Sequence, residues 1–311
     1  MRATTQLTKF GEAPNRTKRP SECFFDWIFL WPTRWGRVLS LGLTACLLTL
    51  ALPVPAVAGT SYTLGVVPQF GQRKLIATWD PIVKELSRRT GLEIHLVVTL
   101  TIPEFEWALE KGTFDFVYAN PYHILRVSDS QGYIPLVRDR EPLRGILLVR
   151  RDSPVKSVKE LAGKTLAVPS PNALGASLLL RADLDHLYGV HLSMVNARTH
   201  SSAYLTVLNG LTDAGGGVQK TLAEQPPEIR EGLRILYTTR AMPSHPIAAH
   251  PRIKPDVRER VRKALLEMSA TPAGKALLDE IPMPAPVTAS LENYLAMREW
   301  GLDTYWVKDG K

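Results

Sequence analysis

The groups best placed for chemistry in this chain are backbone amides at a turn between a strand and a helix. Residues 165–168 have the apolar pattern of a short buried strand, a Pro-Ser-Pro turn follows, and a helix is predicted to begin near Asn172 or Ala173. Such a turn leaves the first N–H groups of the helix unpaired at the end of the strand, where the helix dipole also favours an anion. We therefore predict an anion cradle here. The predicted ligand-binding residues of the cradle are Asn172, Ala173, Gly175, Ala176 and Ser177.

The side chains of Asn172 and Ser177 are predicted to add donors to the amides of this cradle. The alternative is an ordinary capped helix, because Asn is among the residues that any helix N-cap prefers. His200 and Ser201 stand at a second strand-to-helix turn and are predicted to face the same crevice. Gly216 lies in a glycine triplet at the end of another strand, where a ligand could approach the backbone closely. A solvated histidine and a tight turn are the alternatives for these two sites.

Polar and aromatic residues also follow two strands in the first half of the chain. The predicted ligand-binding residues after the strand at 61–68 are Gln69, Phe70 and Gln72. Those at or just beyond the end of the strand at 114–119 are Tyr118, Asn120 and Tyr122. Tyr and Asn can donate hydrogen bonds to phosphoryl-type oxygens and can pack against an organic substituent. Tyr118 has an alternative role as a core residue.

The sequence carries none of the common catalytic patterns. It has no Walker A loop, GxSxG elbow, HExxH pair or GxGxxG fingerprint, and its seven histidines lack the helical spacing of a metal site. These observations favour binding without turnover. We predict a protein that is not an enzyme and that holds no cofactor and no metal.

The first 58 residues resemble an export leader. A basic region is followed by an apolar run at 38–52 and a small-x-small end at Ala56 and Ala58, which predicts a secretory signal cut near Ala58. A retained membrane anchor and lipidation at Cys46 are the alternatives. Both cysteines lie in this leader, so the predicted mature chain has no disulfide and no thiolate metal site. Removal of the leader lowers the net charge of the chain from +8 to +4. A positive charge this small predicts no nucleic-acid partner.

Beyond the leader, strand patterns alternate with helix patterns, which predicts an α/β fold with mainly parallel sheets flanked by helices. The pattern Val-Pro at a strand end occurs at 66–68 and again at 167–169, an offset of 101 residues. A helix stop directly before a strand occurs at 112–115 and again at 210–213, an offset of 98 residues. Two similar offsets predict one α/β unit used twice, as two lobes. One continuous doubly wound domain is the alternative.

Several of these segments, taken together, resemble the phosphate/phosphite/phosphonate substrate-binding proteins of ABC transporters. The similarity rests on the segments 66–68, 112–117, 121–122, 161–168, 199–204, 207–210 and 213–214. The resemblance implies a two-lobed periplasmic-binding-protein fold joined by two crossover strands, near 146–150 and 235–239. The implied domains are a leader at 1–58, a first lobe at 59–147 and 237–311 that includes C-terminal helices, and a second lobe at 148–236.

The same resemblance implies a function. It predicts a monomeric, non-enzymatic periplasmic protein that captures a small oxyanion and passes it to an inner-membrane ABC permease. Family members that bind phosphonates usually carry Ser-Thr-Ser where this chain has Asn172-Ala173-Leu174, so the backbone donors remain and the hydroxyl donors are lost. Each lost charge-assisted hydrogen bond is worth about 1.5–3 kcal/mol. The alternative function is a sensory or adaptor domain that reports its ligand to a membrane histidine kinase.

Overall fold

A computed structural model describes residues 60–308, and the predicted leader with both cysteines lies outside these residues. The strands are β1 Ser61–Val66, β2 Glu93–Val98, β3 Phe116–Tyr118, β4 Ile134–Asp139, β5 Leu143–Arg150, β6 Thr165–Val168, β7 Ser193–Asn196, β8 Ala214–Val218, β9 Leu233–Met242, β10 Pro246–Ala249 and β11 Pro286–Thr288. The α-helices are α1 Gln72–Thr90, α2 Ile102–Glu110, α3 Pro121–Arg126, α4 Leu179–Tyr188, α5 His200–Leu208, α6 Gln219–Ala223, α7 Pro227–Gly232, α8 Pro255–Met268 and α9 Pro272–Asp279. None of the helices between residues 60 and 308 combines the length and the apolar character needed to cross a membrane.

The strands form two sheets, and each sheet is the centre of one lobe. The first sheet has the order β11-β4-β10-β3-β1-β2, and the second has the order β7-β6-β8-β5-β9. In each sheet three neighbouring strands are parallel and the remaining pairings are antiparallel. The two-lobed α/β architecture is confirmed, although the sheets are mixed rather than mainly parallel.

The chain passes between the two sheets twice, and both passages differ from the predicted ones. The whole of β5 and the whole of β9 pair within the second sheet. The chain therefore crosses at 140–142 and returns at 243–245, not near 146–150 and 235–239. The predicted lobe boundaries at 147/148 and 236/237 fall inside these two strands, because apolar strand patterns do not reveal which sheet a strand joins.

A hydrogen-bonded pair that recurs in both lobes supports the predicted repeat. The Asp115 carboxylate accepts hydrogen bonds from the N–H and hydroxyl of Thr63, at 2.9 and 3.1 Å. In the second lobe the Asp213 carboxylate accepts from the N–H and hydroxyl of Thr165, at 3.0 and 2.8 Å. In each lobe the threonine lies on the first strand of the parallel unit, β1 or β6, and the aspartate directly precedes the third strand, β3 or β8. The same local structure is thus built twice.

The central strands β5, β6 and β8 of the second sheet are buried on both faces. Leu147 and Leu166 pack on one face against α4, whereas Ile146 and Ala167 pack on the other face against α5. This alternation follows from the two-residue period of a strand. The glycines of β8 are part of the same packing: a Cβ on Gly216 would overlap the carbonyl oxygen of Ala176. Gly216 therefore makes room for the neighbouring turn and not for a ligand, which corrects its predicted role.

We expect Gly216→Ala to lower the free energy of unfolding by about 1–3 kcal/mol, the usual cost of an overpacked core. Chemical denaturation followed by circular dichroism measures this change. The control is Gly71→Ser, because Gly71 has open space around it and stands at the N-cap of α1, where serine is favoured. Equal stability of the two variants would contradict the packing role of Gly216.

The C-terminal segment crosses from one lobe to the other. It contains three short 3-10 helices between residues 291 and 305. Asp303 pairs with Arg126 of the first lobe at 2.6 Å, and the hydroxyl of Tyr305 donates to Asp185 of the second lobe at 2.6 Å. Residues 291–308 thus connect the two lobes independently of the two sheet crossings.

Candidate functional site

A small cavity of about 30 Å³ lies between the lobes. Strand ends and helix starts of both lobes surround it, as expected for α/β units whose strands point at a shared crevice. Its lining residues are Val67, Gln69, Ile102, Asn120, His123, Ala173, Leu174, Gly175, Ala176, His200, Val218 and His245. Six of the fourteen predicted ligand-binding residues are in this set, namely Gln69, Asn120, Ala173, Gly175, Ala176 and His200.

The second-lobe wall of the cavity is a π-helical turn at Leu174–Leu178, which runs directly into α4. Such turns are rare and are frequently found at functional sites. The Ala173 carbonyl accepts from the N–H groups of Ser177 and Leu178, at 2.8 and 3.0 Å, and the N–H of Ala173 donates to Ser170 at 3.2 Å. The N–H group of Ser177 is the first that can bond to a carbonyl within this turn. The N–H groups of residues 174–176 come before it and therefore have no partner within the turn. These three N–H groups are the donors that the cradle can offer to an anion.

This geometry corrects two members of the predicted cradle. Ser177 is fully buried, its amide is used within the turn, and its hydroxyl points to the sulfur of Met194 at 3.8 Å. Asn172 does not line the cavity, although it is fully buried. Its Nδ2 donates to Glu106 Oε2 at 3.0 Å and to the Val307 carbonyl at 2.9 Å, and its Oδ1 accepts from the Val307 N–H at 2.9 Å. Asn172 therefore joins the lobes instead of binding a ligand.

The first lobe contributes side-chain groups to the opposite wall. Asn120 is the N-cap of α3 and accepts from the His123 N–H through Oδ1 at 2.9 Å, which leaves its Nδ2 for the cavity. Gln69 Nε2 lies 3.4 Å from His245 Nε2. Because an amide nitrogen only donates, this histidine nitrogen accepts and the ring proton sits on Nδ1. His245 Nδ1 is buried without a partner among residues 60–308.

His123 is a further buried polar residue of this wall. Its Nε2 lies 2.9 Å from Glu106 Oε1, and its Nδ1 has no partner within the described residues. The carboxylate of Glu106 therefore bridges two residues, His123 in its own lobe and Asn172 in the other. Since a carboxylate only accepts, Nε2 of His123 carries a proton and donates to Glu106.

His200 approaches the cavity from the second lobe. It is the first residue of α5, behind the N-cap Thr199, and its Nδ1 lies 3.4 Å from the hydroxyl of Thr221. Burial lowers the pKa of His200 to about 4. Burial, together with the neighbouring His123, His200 and Lys220, lowers the pKa of His245 to about 3. Both rings are therefore neutral near pH 7.

The cavity holds dipoles rather than formal charges. Its twelve lining residues, all within the described part of the chain, include no lysine, arginine, aspartate or glutamate. Lys220 lies nearby, but its ammonium group is 3.4 Å from the fully buried carboxylate of Asp139. Amide dipoles and the end of a helix can bind an anion without a full positive charge. The site is suited to a small anion that is recognised by directed hydrogen bonds.

The remaining predicted site residues lie outside the cavity lining. Tyr118 packs between Trp79 and His245, at ring distances of 4.7 and 5.4 Å, and thus supports the wall from behind. Tyr122 packs against Trp306 of the C-terminal segment at 6.0 Å. Three other predicted residues do not line the cavity. Phe70 is half-buried under Lys74, Ser201 is half-buried, and Gln72 is exposed.

Sequence reasoning missed His123 and His245. His123 is three residues beyond the N-cap Asn120, a spacing that places it beside the cap on the first turn of α3. That spacing was a usable signal. His245 lies in a Pro-containing stretch between β9 and β10, and only the return of the chain to the first sheet brings it to the cavity.

Comparison with known proteins agrees with this architecture. Residues 64–294 match the family model described as the ABC transporter, phosphonate, periplasmic substrate-binding protein. A methylphosphonate complex of PhnD1 from Prochlorococcus marinus has a TM-score of 0.72 at 15% identity, over 79% of this chain and 99% of that one. A binding protein component of an ABC phosphonate transporter from Pseudomonas aeruginosa has a TM-score of 0.68 at 14% identity, over 78% and 85%. These two structures show the shared fold.

Two curated relatives are also similar in sequence. The phosphate-import protein PhnD of Mycolicibacterium smegmatis is 22% identical over 223 residues, 64% of this chain and 69% of that protein. The tetrathionate sensor histidine kinase TtrS of Salmonella typhimurium is 27% identical over 134 residues, which are 39% of this chain but only 22% of the kinase. The family match covers well over half of the chain, and the fold agrees with it. The chain belongs to the family of periplasmic substrate-binding proteins of ABC phosphonate transporters.

Proposed function

We propose that this protein is a periplasmic receptor that captures a small oxyanion between its lobes and delivers it unchanged to an inner-membrane ABC permease. The observation that carries the proposal is the cavity itself. Three free amides of residues 174–176 face it from one lobe, and the amide side chains of Gln69 and Asn120 face it from the other. Donors that converge from two lobes favour a ligand that holds the lobes together.

The proposed ligand class is the phosphate, phosphite or phosphonate type. The family match and the methylphosphonate complex of a structural neighbour support this class. The chain lacks the hydroxyls of a Ser-Thr-Ser clamp, so backbone N–H groups and the first-lobe side chains have to supply the donors. The proposal includes export to the periplasm and a monomeric mature protein.

A thermal-shift panel tests the proposal directly. We expect the melting temperature of the purified protein to rise with at least one of methylphosphonate, phosphite or phosphate, and to rise further with concentration. A ligand at 100 times its Kd stabilises the folded state by about 2.7 kcal/mol. A melting temperature that no panel member changes, up to about 1,000 times a micromolar Kd, would exclude the receptor function.

A variant of Asn120 tests the cavity as the binding site. We expect Asn120→Ser to weaken binding of the panel ligand about tenfold, because it removes the Nδ2 donor. Stability should change little, since serine caps a helix as well as asparagine does. The matched control is Asn209→Ser on the exposed end of α5, which should bind as the wild type does. Titration calorimetry measures both, and equal affinities would remove Asn120 from the site.

The second candidate function is a sensory domain that reports its ligand to a histidine kinase. The similarity to a tetrathionate sensor kinase over 134 residues favours it. Tetrathionate therefore belongs in the same panel. Stabilisation by tetrathionate and not by methylphosphonate, together with copurification of a kinase, would support the sensor. Uptake of a phosphonate that depends on this protein would support the receptor.

A further inference from the structure

A valine stands at the start of α6, where four other helices of the chain carry a hydrogen-bonding residue. Val218 is the N-cap of α6, and its side chain makes no cap hydrogen bond. At the starts of α2, α3, α5 and α9 the N-cap is a threonine or an asparagine whose side chain accepts from a backbone N–H of the first turn. Polar residues are strongly preferred over valine at this position. A residue that breaks a local rule in this way is expected at a functional site.

The side chain of Val218 faces the cavity instead of filling a core. Val218 is only 6% exposed, yet it belongs to none of the hydrophobic clusters that form the cores within residues 60–308. A Cβ on Gly175 would lie 2.9 Å from Cγ1 of Val218. Gly175 is the middle residue of the three whose N–H groups are free for an anion. A methyl group therefore lies directly beside the donors of the cradle.

The first lobe adds two apolar side chains to the same cavity. Val67, just beyond β1, and Ile102, the first residue of α2, are both buried and both line it. The cavity thus combines hydrogen-bond donors with apolar groups from both lobes. Its volume of about 30 Å³ is small on a scale where one water molecule needs about 10–15 Å³. There is little room for a ligand larger than a single tetrahedral group.

The cavity also has no group that could pair with a positively charged substituent. None of its lining residues is an acid. Glu106, which contacts the lining residue His123, already accepts hydrogen bonds from His123 and Asn172. Asp139 lies with its carboxylate 3.4 Å from the ammonium group of Lys220. An ammonium group on the ligand would be buried here without a carboxylate of its own.

We propose that Val218 determines the specificity of the site: with Val67 and Ile102 it forms an apolar subsite that takes the hydrogen of phosphite or the methyl group of methylphosphonate. The oxygens of the ligand then bond to the donors of the cradle. The proposal rests on the proposed function and narrows its ligand class. Phosphite and methylphosphonate are tetrahedral oxyanions with three oxygens and one apolar substituent, which matches a cavity that has donors and apolar side chains.

Two related ligands are disfavoured for different reasons. Phosphate has a fourth oxygen in place of the apolar substituent, and this oxygen would lie against methyl groups without a hydrogen-bond partner. The compound 2-aminoethylphosphonate carries two carbons and an ammonium group, which exceed the space and find no carboxylate. We expect the wild-type protein to bind methylphosphonate about tenfold more tightly than phosphate, and about a hundredfold more tightly than 2-aminoethylphosphonate.

Val218→Thr replaces one methyl group of the subsite by a hydroxyl group of similar size. The variant is expected to fold, because threonine is favoured at an N-cap, and a hydroxyl that accepts the cap hydrogen bond can still donate its proton to a ligand oxygen. We expect it to bind phosphate about tenfold more tightly than the wild type does, and methylphosphonate less tightly. The control is Val195→Thr, the same substitution on the exposed strand β7, which should keep the wild-type preference.

Titration calorimetry near neutral pH, with phosphite, methylphosphonate, phosphate and 2-aminoethylphosphonate, decides the question. If the wild type binds phosphate or 2-aminoethylphosphonate as tightly as methylphosphonate, or if Val218→Thr keeps the wild-type preference, the apolar subsite is wrong and the receptor function stands. If the wild type binds none of the four ligands, the proposed function fails, and this proposal with it. If Val218→Thr does not fold, the ranking of the four ligands on the wild type still supports or overturns the subsite.

Discussion

Lowering the pH of the ligand-free protein from about 6.5 to about 4.5 is expected to reduce its free energy of unfolding by about 5 kcal/mol. The reason is the pair of buried neutral rings at the cavity, His200 and His245. Their pKa values fall from the ordinary 6.5 to about 4 and about 3 on burial. Below pH 6.5 the unfolded chain binds protons that the folded chain excludes, so each histidine destabilises the fold by up to about 1.4 kcal/mol per pH unit.

Denaturant titrations at a series of pH values measure this loss. We expect His245→Phe to remove about half of it, because the phenyl ring keeps the stacking on Tyr118 and binds no proton. His191→Gln is the control, because the His191 side chain is 76% exposed. This variant should keep the wild-type dependence of the free energy of unfolding on pH. If the free energy of unfolding of His245→Phe depends on pH as that of the wild type does, His245 is not the group that resists protonation.

Asn172→Asp is expected to weaken ligand binding by about a hundredfold or more at neutral pH, although Asn172 does not touch the cavity. The new carboxylate would keep its bond from the Val307 N–H but would face the carboxylate of Glu106, 3.0 Å from the present amide nitrogen. Two buried like charges at this distance disfavour the closed arrangement of the lobes. The binding energy of the ligand then has to overcome this repulsion.

The effect should weaken as the pH falls, because protonation of either carboxyl restores a hydrogen bond across the lobes. Asn209→Asp, at the exposed C-cap of α5, is the control for the added charge. Addition of Glu106→Gln to Asn172→Asp should recover part of the affinity, since the Gln amide can donate to the new aspartate. A double-mutant cycle by calorimetry measures this coupling, and additive losses would argue against direct contact between the two residues.

The local pattern of the sequence was sufficient for much of the fold. Strand β6, with Thr165–Val168, lies where it was predicted, because apolar periodicity is a local property. The predicted repeat is supported by the matching pairs Thr63–Asp115 and Thr165–Asp213. The short strands β10 and β11 were missed, since three or four residues beside prolines carry too little periodicity.

The candidate site was only partly predictable. Strand-to-helix turns correctly placed Gln69, Asn120 and the amides near Gly175 at the cavity, because the ends of parallel strands meet at one edge of a sheet. The predicted roles of neighbouring residues were wrong where a hydrogen-bond partner that is distant in the sequence decides the role. Asn172 looks like a helix cap or an anion donor in the sequence, yet it is bonded to Glu106 and Val307, which are 66 and 135 residues away.

The sequence alone determined the α/β class, the doubled unit and the presence of free amides at the turn near residue 174, since each depends on neighbouring residues. Only the tertiary structure decided which side chains share the cavity, and that Nε2 of His123 donates to Glu106 there. Glu106 lies seventeen residues earlier on another helix. The hydrogen-bond partner of an imidazole nitrogen helps to decide whether that nitrogen carries a proton, and the chain must fold before the partner is known.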